Sequence, residues 1–167
     1  MSGHSKWSTI KHKKAITDKK KGQIFSKLSR LITLAAKKGA DPKSNPSLAQ
    51  AIENARAVNM PNENIDRAIK KVSDKNQVQL EELSIEALGP GGVALKIRAI
   101  TDNRNRTMAE IKKILMENNS KLVQPGSLTW MFNTPAIINP EAHAKLNTLF
   151  EALDDQDEVE DVISNLQ

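Results

Sequence analysis

The sequence predicts an α+β protein in which a three-helix bundle precedes a small α/β sandwich. Three observations support this. Apolar residues recur at helical spacing through the first half, they alternate with polar residues after residue 81, and a Gly-Pro-Gly-Gly run at 89–92 separates two alternating segments. The aromatic content of 3% also favours helices and a thin sheet over a large β-sandwich. We expect one domain over residues 1–80 and another over residues 81–167.

The first predicted helix runs from about Asp18 to Lys38 and ends before Gly39, a residue type typical of the position after a helix. One stripe of this helix is apolar, and it consists of Ile24, Phe25, Leu28, Leu31, Ile32 and Ala35. The opposite side is expected to be polar and to carry Lys20, Lys27, Arg30, Lys37 and Lys38.

Two further helices complete the predicted bundle. The second is expected from about Pro46 to Asn59, and the third follows Pro61, which suits a first helical turn. Their inward residues are predicted to be Leu48, Ala51, Ile52, Ala55, Val58, Ile65, Ala68, Ile69 and Val72. The third helix turns Arg67, Lys70 and Lys71 outward, and residues 73–80 form the linker.

The second domain is predicted from alternating and helical patterns in turn. It is expected to begin with a hairpin of two strands, 83–87 and 93–99, followed by a helix that starts at 101–103 and ends at 118. A short strand at 128–132 comes next, and 136–138 is either its continuation or another strand. A helix from 140 and a last strand at 159–163 complete the domain. This order predicts a split β-α-β, ferredoxin-like sandwich with a hairpin in front of it.

Charge divides the chain into two different halves. Residues 1–80 contain seventeen Lys and Arg against six Asp and Glu, whereas residues 81–167 contain eight against fourteen. Within the first 38 residues there are eleven basic residues and one acid, Asp18. A segment this basic needs a polyanion or a large solvated face, and nucleic acid is the commonest polyanion.

The basic segment therefore supplies the main candidate nucleic-acid contacts. They are Lys6, Trp7, Lys11, His12, Lys13, Lys14, Lys19, Lys20, Lys21, Lys27 and Arg30. The Lys side chains can reach phosphates as point charges, and Trp7 can stack on an unpaired base. The alternative is a solvated tail whose Trp packs against the helical bundle.

A second candidate anion site is the run 101–107, where Arg104 and Arg106 stand at a predicted helix start. The alternative is that Asp102 or Asn103 caps the helix and both Arg side chains lie in solvent. The pattern alone leaves both interpretations open.

Several function classes are disfavoured. The absence of cysteine excludes disulfides, thiolate zinc sites and cysteine nucleophiles, and no nucleophile elbow, zincin helix or Walker motif occurs. The acidic run 154–158 is interpreted as a solvated face, and the run 89–92 as a β-turn. We expect no enzyme, cofactor, metal or small-molecule substrate. Without a stretch of roughly 20 apolar residues, we also expect a cytoplasmic protein with no membrane partner.

Seven motifs occur in order along the chain: GHSKW at 3–7, IKHK at 10–13, NMP at 59–61, NIDRAI at 64–69, GPGGVA at 89–94, TDNRNRT at 101–107 and GSL at 126–128. Together these motifs resemble those of the YebC family. Members of this family are labelled transcriptional regulators, and mitochondrial relatives are translational activators.

The resemblance implies a non-enzymatic, nucleic-acid-binding regulator of gene expression. One alternative is a DNA-binding transcriptional regulator, and the other is a factor that binds ribosomal or transfer RNA and assists the ribosome. A third, suggested by the acidic second half, is a protein–protein adaptor. Family members also carry a third domain inserted between two parts of the second, and the resemblance implies that this domain is missing near residues 133–139.

Overall fold

The computed structural model describes residues 18–76 and 79–167, with side chains from Lys20 onward. The described chain falls into two compact units, one ending at Glu81 and the other beginning at Glu82. The first is helical and the second combines helices with a sheet. The predicted α+β class is therefore confirmed.

The helical unit contains the three predicted helices, α1 (Asp18–Ala36), α2 (Pro46–Ala57) and α3 (Asn62–Lys70). A short 3₁₀ turn, Lys71–Ser73, follows α3. The apolar stripes of the helices meet in one cluster, in which α1 packs against both α2 and α3. The buried members of this cluster are Ile32, Ala36, Leu48, Ala51, Ile52, Ala55, Met60, Ile65 and Ala68.

Two buried polar side chains fix how the helices join. Asn45 caps α2 by accepting a hydrogen bond from the Leu48 N–H at 3.2 Å, and its amide lies 2.8 Å from both the Ala35 and Gly39 carbonyl oxygens. It therefore ties the start of α2 to the end of α1 and satisfies groups that helix ends leave unpaired.

The hydroxyl of Thr33 joins α1 to α3. Its Oγ1 lies 2.9 Å from the Ser29 carbonyl oxygen and 2.8 Å from the Ala68 carbonyl oxygen. Because Thr33 and Ala68 both stand near the ends of their helices, the carboxyl ends of α1 and α3 lie close together.

The expected exposure of Lys27 is wrong, because only 6% of this residue is exposed. Lys27 comes three residues after Ile24 and four before Leu31, so it neighbours apolar side chains on the helix surface. A lysine stem of four methylene groups is buried readily along such a surface.

The α/β unit is built on a four-stranded sheet with the strand order β3-β1-β2-β4. In chain order the elements are β1 (Glu81–Leu88), β2 (Ala94–Thr101), α4 (Arg104–Glu117), β3 (Lys121–Val123), α5 (Pro140–Asp155) and β4 (Val159–Ser164). β1 pairs antiparallel with β3, with Glu86 opposite Val123, and β2 pairs antiparallel with β4, with Ile97 opposite Val162. α4 joins β2 to β3, which lie on either side of β1, and this is the predicted split β-α-β arrangement.

The core of this unit lies between the two helices and one face of the sheet. The strands contribute the predicted alternating residues, and α5 contributes Leu146, Leu149, Phe150 and Leu153. Phe150 is 1% exposed and is among the largest fully buried side chains. Period-two burial on the strands and helical burial on α5 together give the layered architecture.

The predicted strand at 128–132 is wrong, because this segment contains a 3₁₀ helix, Thr129–Asn133. Its backbone bonds are local: Met131 N–H donates to the Leu128 carbonyl at 2.9 Å, and Thr134 N–H donates to the Met131 carbonyl at 3.0 Å. The edge position beside β1 is taken by β3 instead. In the described chain Ala136 forms only an isolated parallel bridge with Leu166.

The hairpin turn at 89–92 offers a matched pair of glycines. Gly91 and Gly92 both have φ of +76°, in the left-handed region that disfavours a side chain. A Cβ at Gly91 would lie 2.7 Å from Ile138 Cγ2 and 3.2 Å from Ala142 Cβ, whereas a Cβ at Gly92 meets nothing within 4 Å.

We therefore expect Gly92→Ala to lower the free energy of unfolding by about 1–2 kcal/mol through backbone strain alone. Gly91→Ala should cost at least about 1 kcal/mol more, because Ile138 must also move. Urea unfolding of both variants measures the difference, and equal losses would contradict the packing argument.

Candidate nucleic-acid interface

Only some of the predicted contact residues belong to the described part of the chain. Lys6, Trp7, Lys11, His12, Lys13 and Lys14 lie outside the described residues, and so does the side chain of Lys19. The remaining predicted residues are on two helices: Lys20, Lys21, Lys27 and Arg30 on α1, and Arg104 and Arg106 at the start of α4.

The α1 residues differ strongly in accessibility. Lys20 and Lys21 are exposed, Arg30 is half-buried and Lys27 is buried. The Lys21 ammonium stands 5.7 Å from the centroid of the Phe25 ring, a cation–π distance. Lys20 and Lys21 are therefore the α1 cations best placed to meet a phosphate from solvent.

A second group of cations lies at the end of the helical unit where α1 and α3 finish. We call Lys38, Arg67, Lys70 and Lys71 the terminal basic cluster. All four are exposed, and within the described chain their side chains make no hydrogen bond or ion pair. The Thr33–Ala68 contact at 2.8 Å brings the two helix ends together, so these cations share one end of the unit.

Helix carboxyl ends carry partial negative charge that stabilises nearby cations, which is one reason for lysines at this place. Exposed, unpaired ammonium and guanidinium groups are also the groups that contact phosphates. Lys37 stands beside the cluster and donates to the Leu80 carbonyl oxygen at 2.5 Å.

Sequence reasoning placed Arg67, Lys70 and Lys71 outward but did not include them among the contacts. Glu63 and Asp66 stand four residues before Arg67 and Lys70, a spacing that favours ion pairs. No such pair forms in the described chain. The feature of the sequence that could have indicated these contacts is the excess of basic over acidic residues across 37–75.

The run 101–107 is organised by its own side chains. Asn103 caps α4 by accepting from the Arg106 N–H at 3.1 Å, and the Thr101 hydroxyl oxygen accepts from the Asn103 N–H at 2.9 Å. Thr107 Oγ1 lies 2.7 Å from Thr101 Oγ1 in a buried position. Of the two alternative caps suggested by the sequence, the structure has Asn103.

Arg106 is held between two carboxylates. Its Nη2 lies 2.9 Å from Asp102 Oδ1 and also contacts Glu158 Oε1. The hydrogen bond with Glu158, followed by that with Asp102, raises the pKa of the Arg106 guanidinium above its ordinary value. Because two acids already balance its charge, Arg106 is a poor place for a phosphate. Arg104 is exposed.

The acidic run that contains Glu158 is only partly a solvated face. Gln156 and Glu158 are 8% and 9% exposed. The Gln156 Oε1 accepts from the N–H groups of Glu158 at 2.7 Å and Val159 at 2.9 Å, and its amide lies 2.7 Å from Glu110 Oε2. These bonds connect α4 to the start of β4. Gln156 is needed here because the turn is buried, and buried backbone N–H groups must find acceptors within the protein.

Within residues 18–76 and 79–167, no group of three or more His, Asp or Glu side chains is arranged to hold a metal ion. In that same part of the chain, no helix combines the length and apolarity required to cross a membrane.

The fold and the charge distribution define a two-unit α+β protein whose helical unit is basic. Comparison with known families matches residues 5–75 to the TACO1/YebC protein N-terminal domain and residues 80–144 to the TACO1/YebC second and third domain. The chain belongs to the TACO1/YebC family.

Curated relatives carry the name "probable transcriptional regulatory protein". One from Prosthecochloris aestuarii is 55% identical over 141 residues, which are 83% of this chain and 56% of the relative. One from Chlorobium luteolum is 48% identical over 156 residues, or 92% of this chain and 62% of the relative. The chain thus spans about three-fifths of the length of these relatives.

A solved structure has the same fold. The crystal structure of a conserved hypothetical protein from Aquifex aeolicus aligns with a TM-score of 0.84 and 29% sequence identity, covering 98% of this chain and 97% of that one.

Proposed function

We propose that this protein is a non-enzymatic regulator of gene expression that binds nucleic acid through the cations of its helical unit. The transcriptional regulator named among its relatives is the form of this function that we favour, with DNA as the ligand. The observation that carries the proposal is the terminal basic cluster, whose four exposed cations make no hydrogen bond or ion pair within the described chain.

The chemistry of the cluster suits phosphates better than bases. Lysine is a point charge on a flexible stem, and it neutralises phosphates without reading sequence. Base readout uses Asn, Gln or Arg presented on a helix in the major groove, and the cluster has only one such residue, Arg67. Binding should therefore be strongly salt-dependent and weakly sequence-dependent.

The test is a triple variant with Arg67, Lys70 and Lys71 changed to Ala. Binding to a duplex DNA should weaken, and the slope of log Kobs against log salt should become shallower by up to about 2.7, because each lost phosphate contact removes about 0.9. Fluorescence anisotropy over a salt series measures both quantities.

The matched control removes the same charge from the other unit. Lys96, Lys112 and Lys121 are also exposed, and none bonds a described side chain, so changing all three to Ala should leave the slope unchanged. If both triple variants weaken DNA binding equally, the loss is due to net charge alone, and the terminal basic cluster is not the binding site. A third variant, with Lys11, Lys13 and Lys14 changed to Ala, measures how much the basic segment contributes to the DNA affinity and to its salt dependence.

The same titration with a structured RNA of equal charge separates the two nucleic acids. Tighter binding to RNA, with the same loss in the Arg67, Lys70 and Lys71 variant, would favour the ribosome-associated alternative over DNA. Binding to neither would contradict the proposed function.

A further inference from the structure

One large aromatic side chain of the α/β unit faces solvent. Trp130 is 70% exposed, and it lies in the 3₁₀ helix between β3 and α5. Trp side chains are highly buried on average, so this exposure is unusual. An exposed indole presents a flat π face on which another ring can stack.

The two faces of the sheet have different surroundings. The odd-numbered residues from 83 to 87 and from 95 to 99 belong to the core cluster, which packs against α4 and α5. Glu86, Ala94 and Lys96 alternate with them and therefore point to the opposite face of the sheet. We call this opposite face the outer face.

Residues 126–134, which we call the crossing segment, run across the outer face. At one end, the Gly126 N–H donates to the Glu86 carboxylate of β1. At the other end, the amide of Asn165, just after β4, lies 3.2 Å from the Met131 carbonyl oxygen. β2 lies between β1 and β4 in the sheet, so the crossing segment passes over the start of β2.

The backbone that carries Trp130 is firmly held. The amide of Asn165 also lies 3.0 Å from the Thr134 carbonyl oxygen, and its Oδ1 accepts from the Ala94 N–H at 2.9 Å. Asn165 is 6% exposed and Ala94 is 0% exposed, so these bonds are shielded from water. A fixed backbone lowers the entropic cost of binding a ligand through Trp130.

The charges near Trp130 suit a phosphate. Residues 118–140 and 162–167 contain no Asp or Glu, although the α/β unit as a whole is acidic. Lys96 follows Ala94 by two residues and stands on the same face, about 7 Å further along the strand. It is exposed, its partner on β4 is the apolar Ile163, and within the described chain its side chain makes no hydrogen bond or ion pair.

The other end of the outer face is less suited to an anion. There Arg98 stands opposite Asp161 in the pairing of β2 with β4, and the residue before Asp161 is Glu160. The end of the outer face that lies beside the crossing segment is therefore the part that combines an exposed aromatic ring with an unbalanced cation.

We propose that Trp130 stacks on an unpaired base of a single-stranded nucleic acid while Lys96 contacts an adjacent phosphate. Stacking uses the π face that every base has, and a lysine neutralises a phosphate without reading sequence. The inference rests on the proposed function for the class of ligand, and it adds a site for unpaired bases on the other unit. A duplex keeps its bases stacked inside, so the duplex titrations, in which Lys96 belongs to the control variant, do not report on this site.

Fluorescence tests the stacking directly, because Trp7 and Trp130 are the two Trp residues of the chain. A Trp7→Phe background leaves Trp130 as the only indole. Oligo(dT), a single strand with little structure of its own, should quench this emission saturably at low salt, because the stacked base contacts the ring. The same titration with oligo(U) distinguishes the two sources of the base: the strand that quenches at the lower concentration identifies the site as one for DNA or for RNA.

Variants of Trp130 should change single-strand binding and leave duplex binding alone. Trp130→Ala should weaken oligo(dT) binding about 5- to 100-fold, the usual range for the loss of one stacked base, and Trp130→Phe should keep most of the affinity because it keeps a π face. Met116→Ser is the matched control, since Met116 is 69% exposed on α4, and it should bind as wild type. Both positions are exposed, so thermal unfolding should show all three variants folded.

The phosphate contact has its own measurement. Lys96→Ala should make the slope of log Kobs against log salt for oligo(dT) shallower by about 0.7, the value for one phosphate contact with a single strand. Lys112→Ala removes an equally exposed, unbonded lysine from α4 and should leave that slope unchanged. Equal changes in both variants would contradict the role of Lys96.

The outcomes separate this inference from the proposed function. Oligo(dT) binding that leaves the Trp130 emission and the Trp130→Ala affinity unchanged would overturn the inference, while retained duplex binding would leave the proposed function standing. Quenching without duplex binding would support the inference and contradict duplex DNA as the ligand. Binding to neither strand form would overturn both. A mass that rises with concentration in wild type but not in Trp130→Ala, without quenching by either oligonucleotide, would make the crossing segment a protein interface and overturn the inference.

Discussion

Replacing Phe150 with Ala should lower the free energy of unfolding by about 3–5 kcal/mol, the usual range for a fully buried Phe. The ring is 1% exposed and packs between α5 and the sheet, within the main cluster of the α/β unit. Its removal loses both the transfer free energy of the ring and the contacts of the atoms that surrounded it. Urea unfolding followed by far-UV circular dichroism measures the loss.

The chain contains three Phe residues, and the other two are internal controls. Phe25 and Phe132 are only half-buried, so the same change to Ala at either position should cost clearly less. Losses of similar size at all three positions would contradict the burial that the structure assigns to Phe150.

Replacing Gln156 with Ala should lower the free energy of unfolding by about 2–4 kcal/mol. The change removes the side-chain oxygen that accepts from the Glu158 N–H at 2.7 Å and from the Val159 N–H at 2.9 Å. The Glu158 N–H loses this acceptor, and the Val159 N–H keeps only its longer bond, 3.3 Å, to the Gln156 main-chain carbonyl oxygen. Each buried donor left unpaired costs about 1–3 kcal/mol. It also removes the amide that stands between the carboxylates of Glu110 and Glu158. Chemical unfolding at neutral pH measures the loss.

Gln156→Glu separates the two roles of this side chain. The variant keeps an oxygen for both N–H groups but places a new carboxylate against two others. Like charges at short distance raise the pKa of the introduced carboxyl group, so the folded state binds a proton more readily than the unfolded state. The stability deficit relative to wild type should therefore shrink as the pH falls towards about 4. A deficit independent of pH would contradict the carboxylate contacts.

The fold was largely predictable because its strongest signals are local. Helical spacing in α1, α2, α3 and α5, and alternation in β1 and β2, each extend over eight or more residues. The 3₁₀ helix at 129–133 was mistaken for a strand, since a short apolar run such as 128–132 is also typical of a buried strand. β3 has three residues and was missed, because its pairing with β1 is set by partners more than thirty positions away.

The candidate interface was predictable only as a region. Net charge identified the basic half of the chain. It did not show which cations face solvent, because that depends on packing and on partners far away in the sequence. Lys27 was expected outside and is buried, and Arg106 is balanced by Glu158, a residue 52 positions later. Position in sequence cannot show either fact. The terminal basic cluster likewise depends on Thr33 meeting Ala68 across 35 positions.

The strand order β3-β1-β2-β4 also bears on how the protein behaves when it is concentrated. Outer strands leave backbone donors and acceptors that can recruit a strand from another molecule and start amyloid-like aggregation. Here one outer strand is only three residues long, too short to template much pairing. The other, β4, carries Glu160 and Asp161, and the Asp161 carboxylate already accepts from the Val162 N–H at 2.9 Å. Both outer strands therefore resist uncontrolled sheet growth.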